Sequence, residues 1–329
     1  MKTMASLTFA AATAVALCLP LHSLAQAWPT KQPIKLVVPF AAGGPSDAVA
    51  RALAKGLSEG IGQTVVVDNR TGAGGSIGID AVAKSPPDGY TLGFAHTGTT
   101  AINPNLFAKH PFDPLTDLTP ITPVVSYANV LVVNPQVPAK TVAEFVAWAK
   151  ANPTQASYAS GGNGATNHLS GELFKSITGT PLAHIPYKGN APAMSALIAG
   201  TVPAMFDIPV TVLPQLKAGK VRALAITGTK RSAYLPGVPT MREAGYPGFE
   251  EAGSDLWFGL VGPAGMPKEL VDRIHAETLK ALKTPALEET IHTMAYDVWT
   301  ISPSEFKTFL RNDHAKWGKV VKLSGAKVE

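Results

Sequence analysis

Between Pro33 and Ala95 short apolar runs alternate with helix-like segments, and this alternation limits the chain's folds more than any other feature. Ile34 to Val38 is apolar but for Lys35 and reads as a buried strand. Ala48 to Gly60, with Val49, Leu53 and Leu57 on one face, reads as an amphipathic helix. Thr64–Asp68, Ser76–Lys84 and Tyr90–Ala95 continue the pattern as strand, helix and strand. A β-α-β-α-β run predicts a parallel sheet in an α/β fold. Ligands of such sheets sit beyond the carboxyl ends of the strands, where Pro39–Asp47 and His96–Thr100 fall.

The first of these stretches, Pro39-Phe40-Ala41-Ala42-Gly43-Gly44-Pro45-Ser46-Asp47, is built for close backbone approach. Pro45 suits the first helical position, and Asp47 can reach back to cap free amides. Strand, glycine turn and helix N-terminus together predict an anion socket. The grammar recurs at Ser160-Gly161-Gly162-Asn163-Gly164-Ala165-Thr166-Asn167-His168, between a strand at Ala156–Ala159 and a helix carrying Leu169, Leu173 and Ile177. Asn129–Val133 and Leu256–Gly262 each read as a strand followed by a helix, which predicts two crossings between two lobes. The proline-rich passage with Pro104, Pro111, Pro114, Pro120 and Pro123 is expected to hold no long regular element. From Pro267 the chain reads as mostly helical and is expected to pack back on the first lobe.

The first 27 residues read as an export signal: Lys2, an uncharged apolar run from Ala5 to Leu19, Pro20, and the cleavage pattern Ala25-Gln26-Ala27. Cleavage near Ala27 predicts a soluble periplasmic protein. It also removes Cys18, the sole cysteine, excluding disulfides and thiolate chemistry from the mature form. Basic residues are scattered, and the net charge of +5 is too diffuse for a nucleic-acid footprint.

Enzymatic motifs are absent. Neither Gly72-Ala73-Gly74-Gly75-Ser76-Ile77 nor Gly162-Asn163-Gly164-Ala165-Thr166-Asn167 completes a dinucleotide fingerprint, since Ile77 and Asn167 occupy the last glycine position, and no Walker lysine follows. There is no G-x-S-x-G elbow, no H-E-x-x-H and no ligand spacing among the histidines, so neither cofactor nor metal is expected. Two other readings stay open: a periplasmic hydrolase of carboxylic esters using Ser46 or Ser160, and the effector half of a transcription regulator. The export signal and the lack of DNA-binding helices oppose the second.

Several stretches resemble one family. Trp28-Pro29-Thr30-Lys31-Gln32-Pro33-Ile34, Val38 to Gly44, Asn69-Arg70-Thr71-Gly72-Ala73-Gly74-Gly75, His184-Ile185-Pro186-Tyr187-Lys188-Gly189 and Pro239-Thr240-Met241-Arg242-Glu243-Ala244-Gly245 are similar, in this order, to the extracytoplasmic receptors of tripartite tricarboxylate transporters, the Bug receptors. The resemblance implies a two-lobed, flytrap-like periplasmic binding fold of type II with a two-strand hinge. Its lobes would be residues 28–128 plus 259–329 and residues 129–258. It implies a monomer that captures a small carboxylate and hands it to a small and a large membrane subunit. Family ligands include di- and tricarboxylates, acidic amino acids and aromatic carboxylates. The expected ligand-binding residues are Phe40, Ala41, Gly43, Gly44, Ser46 and Asp47 on the first turn, with His96 and Thr97 after the third strand. Ser160, Gly161, Gly164, Thr166 and His168 follow on the second turn. Asp207 matches an acidic position of the family's pocket, although its residue chemistry alone reads as a helix cap.

Overall fold

The computed structural model describes residues 28–249 and 255–327, so the export signal, Cys18 and the cleavage motif lie outside the described residues. The chain enters through β1 (Ile34–Val38), α1 (Pro45–Ile61), β2 (Val65–Asn69), α2 (Ser76–Ala83) and β3 (Thr91–His96), with β1 parallel to both other strands. Ile34, Leu36 and Val38 are fully buried, as are Val49, Leu53 and Leu57 on the facing stripe of α1. A π-helical turn (Gly98–Ile102) and the short α3 (Asn103–Leu106) lead into β4 (Leu118–Ala128).

After Asn129 the chain enters a second sheet, made of β5 (Val130–Val133), β6 (Ser157–Ser160), β7 (Ala183–Pro186), β8 (Ala204–Asp207) and β9 (Arg222–Ile226). Its strand order is β7-β6-β8-β5-β9. Among these strands run α4 (Val142–Ala151), α5 (Thr166–Thr178), α6 (Asn190–Ile198) and α7 (Pro209–Lys217). β10 (Asp255–Pro263) lies in the first sheet from its first residue, antiparallel to β3 and β4, and α8 (Lys268–Ala281), α9 (Pro285–Thr293), β11 (Asp297–Val298) and α10 (Pro303–Ser324) complete the fold. The first sheet is ordered β11-β4-β10-β3-β1-β2.

Two sequence expectations need correction. The proline-rich passage contains the longest strand among the described residues, the 11-residue β4, with Pro120 and Pro123 inside it. Proline lacks the N–H a ladder needs. Accordingly the β4–β10 register slips twice, once at Pro123 opposite Gly259 and once at Pro120 opposite Val261, so the prolines sit at bulges. The helical C-terminal part does not stay on the first sheet either. Phe306 and Leu310 of α10 pack beside Trp257 and Val261, whereas Trp317, Val320 and Val321 join the core containing Leu131, Leu169 and Phe174. α10 thus braces both halves, with Trp257 Nε1 donating to Asp313 Oδ2 at 2.9 Å.

Candidate functional site

A cavity of about 840 Å³ lies between the two sheets, in the range of small-molecule sites. Phe40 to Ser46 line it from the first half of the molecule, and Asn163 to Thr166 from the second. Gly43 takes φ +86°, which only glycine adopts without strain, and its N–H donates to Asp47 Oδ2 at 2.9 Å. The same carboxylate oxygen accepts from Arg51 Nε (2.8 Å), and Asp47 Oδ1 accepts from Asn69 Nδ2 (2.9 Å). Burial would raise this carboxyl, but Arg51, the Gly43 amide and Asn69 hold it below the usual value. Asp47 therefore shapes the turn from behind, and the Arg51 cation is bound to it.

The second turn is fixed by a different set. Ser160 Oγ lies 2.6 Å from His184 Nε2 and bonds the Gly162 backbone, and the His184 ring stacks on His168 at 4.0 Å. Gly164 N–H donates to His168 Nδ1 (3.0 Å), and Gly161 N–H to Asn167 Oδ1 (3.2 Å). Asn167 Nδ2 donates to Asn190 Oδ1, whose own Nδ2 donates to Asp207 Oδ1 at 2.6 Å. Asp207 also accepts from Ile208 N–H (2.8 Å) and Thr211 Oγ1 (2.7 Å). Neither is a free amide of the first turn of α7, whose N-cap is Ile208 without a side-chain cap, so the capping role expected of Asp207 is not the one it plays. Burial pushes its carboxyl up to about 6 against these three donors.

Among the described residues no lysine or arginine lines the cavity. Helix ends are what this lining offers an anion instead. α1 and α5 begin at Pro45 and Thr166 on opposite walls, and neither N-terminus has a side-chain cap. α6 also begins at the cavity, at Asn190, without a cap. Each such end carries about half a positive charge and free amides, worth roughly 0.3–2 kcal/mol to an anion. His96 adds no charge. Burial pushes it down to about 3, and Gly98 N–H donates to its Nδ1, placing the proton on Nε2.

The buried histidines predict acid sensitivity. His96 and His184, the latter pushed to about 4 chiefly by burial and then by His168, resist protons that the unfolded chain takes up near pH 6.5. Their stabilising contribution is complete above about 6.5 and is lost as pH falls toward those values. Asp207 works oppositely, holding its proton up to about pH 6 when folded, but it is one group against two. The melting temperature is expected to fall between pH 6.5 and 4.5, and less steeply in His184→Gln; a flat or rising trend would contradict this.

Of the expected site residues, Phe40, Ala41, Gly43, Gly44, Ser46, His96, Gly164 and Thr166 line the cavity. Asp47, Thr97, Ser160, Gly161, His168 and Asp207 stand behind that lining. Thr97 Oγ1, for instance, accepts from Trp257 N–H at 3.1 Å. Sequence reading missed Tyr127, Phe258, Tyr296 and Asn190, all of which line the cavity. Strand alternation at Trp257-Phe258 signals that these rings face opposite ways, but not that Phe258 meets Phe40.

Two sheets that send glycine turns and helix N-termini into one shared cavity define a two-lobed binding fold of the periplasmic type. Comparison with known proteins gives the family. Residues 49–326 match the tripartite tricarboxylate transporter family receptor, TctC. BugT of Bordetella pertussis is 36% identical over 299 residues, covering 91% of each chain. The solved structure of R. palustris Rpa4515 with adipate superposes with a TM-score of 0.79 at 36% identity, covering 92% of this chain and 100% of that one. MatC from Rhodopseudomonas palustris with bound malate gives 0.75 at 31% identity, covering 89% and 99%. The chain belongs to the tripartite tricarboxylate transporter receptor family. The family consists of receptors, and the hydrolase alternative falls with that. Ser160 does have a histidine partner, but it is fully buried, off the cavity and bonded to its own turn.

Proposed function

We propose that the protein is a periplasmic receptor that closes on a small carboxylate and delivers it, as a monomer, to the two membrane subunits of a tripartite tricarboxylate-type transporter. The observation that carries this reading is the opposition of the uncapped α1 and α5 N-termini across a cavity whose described lining holds no lysine or arginine. An anion between them would be held by donors from both lobes, and opening would remove about half of these. Release then needs no cation to be displaced. Solved relatives holding adipate and malate support a carboxylate guest. Phe40, Gly43, Gly44 and Ser46 would form one jaw, Gly164 and Thr166 the other, with His96 flanking them. Asp47, Thr97, Ser160, Gly161, His168 and Asp207 would act through these residues.

The lobe centred on the first sheet would comprise residues 28–128 and the C-terminal part, with the return crossing ahead of Asp255, where β10 joins that sheet. Among the described residues no helix is long and apolar enough to cross a membrane. Export would rest on the signal-like residues 1–27. A thermal-shift screen tests the reading. A bound carboxylate at 100 times its Kd should stabilise the protein by about 2.7 kcal/mol. If no mono-, di- or tricarboxylate raises the melting temperature, the receptor reading fails.

A further inference from the structure

We propose that the cavity selects an aromatic monocarboxylate over aliphatic di- and tricarboxylates, seating the ligand ring on a preformed strip of four side-chain rings. This inference rests on the carboxylate-receptor reading and narrows it. The strip starts within the first glycine turn. Phe40 meets Phe258 edge-on, with centroids 6.2 Å apart at 84°. Phe258 stacks on Tyr127 at 5.5 Å, and Tyr127 on Tyr296 at 4.7 Å. All four line the cavity, so the rings lead from the turn beside the α1 N-terminus to the far wall. They are also held from behind. Phe94 stacks on Phe258 at 5.4 Å, and the His96 ring lies 4.6 Å from Phe40.

Phe258 and Tyr296 are only 5% and 2% exposed, and Phe258 and Tyr127 each stack on two neighbours, so the strip offers ring edges rather than open faces. A rigid row of edges suits the face of a flat guest, at little ordering cost. A second carboxylate on the guest would be treated differently. It would lie against rings in a cavity with no lysine or arginine among its described lining residues, and an ion removed from water without a partner is costly. At the far wall it would also approach the Asp207 carboxylate, close enough to Tyr296 to raise that phenol further above its ordinary value, after burial. The Tyr127 and Tyr296 hydroxyls make no hydrogen bond with any described residue. Two neutral phenols suit a neutral polar substituent, such as a ring hydroxyl, on the end of the guest remote from its carboxylate.

The test is calorimetric titration of the purified protein with benzoate, 4-hydroxybenzoate, adipate, malate and citrate. The better aromatic acid is expected to bind at least about 10-fold more tightly than the best aliphatic acid. Phe258→Leu and, separately, Tyr127→Leu are expected to weaken the aromatic acid more than they weaken adipate. The proposal is overturned if an aliphatic acid matches or exceeds both aromatic acids, or if neither variant narrows the gap. Adipate or malate binding at least as tight as both aromatic acids would sink this inference and leave the receptor reading intact, whereas binding of no acid at all would sink both.

Discussion

Replacing Gly44 with valine is expected to abolish ligand binding while leaving the fold intact. Gly44 precedes α1 with φ −83° and ψ 171°, ordinary extended angles that valine adopts freely. A Cβ added there would touch only the Ala41 carbonyl oxygen, at 3.8 Å. The branched methyls would instead stand over the amides of the helix end, where a carboxylate must approach. Two charge-assisted hydrogen bonds at about 1.5–3 kcal/mol each make the loss about 100-fold or greater. A normal melting temperature with no titration heat is the expected result. Affinity within threefold of the parent, with the protein folded, would show that the ligand does not use this turn. Gly43 is an unsuitable probe, because its φ of +86° would add folding strain to any binding effect.

The second large effect is expected where the two jaws meet. A Cβ on Gly164 would lie 2.1 Å from Leu106 Cδ2, far inside contact distance, so Gly164→Ala blocks the approach of the second turn to α3. The residue also has φ +77°, and alanine there strains the turn by roughly 1–2 kcal/mol. Leu106→Ala separates the two contributions, since it removes the clash and leaves the strain. Gly164→Ala should raise Kd by about 10–100-fold and leave the liganded protein more expanded in small-angle scattering. The double variant should recover most of the affinity. If it recovers none, closure does not depend on this contact.

The sequence makes the lining legible where chemistry is carried by backbone. Glycines at 43, 44 and 164, Pro45 at the first position of α1 and the carboxylate of Asp47 are local signals, and each appears where local rules place it. Asp207 shows the limit of such rules. The following Ile208-Pro209 suggests a helix cap, yet α7 begins without a side-chain cap, and the link of Asp207 through Asn190 to the second turn depends on how β8 and α6 lie together. The aromatic strip was not legible. Phe40, Tyr127, Phe258 and Tyr296 come from four separate segments, brought together by the β1–β3–β10–β4–β11 pairing. β4 itself was hidden because Pro120 and Pro123 argue against a strand, and only its partner β10 reveals the bulges that admit them.

The central claim is that helix ends and backbone amides, without a cation, hold an anionic group between the lobes. Paired titrations with a carboxylate and its primary amide, benzoate with benzamide and adipate with adipamide, test it most directly. The amide keeps the shape and removes the charge. Here the tighter-binding acid is predicted to exceed its own amide by at least about 30-fold, corresponding to about 2 kcal/mol from the opposed helix ends. An amide that binds as tightly as its acid would contradict the account, because the cavity would then be reading shape alone.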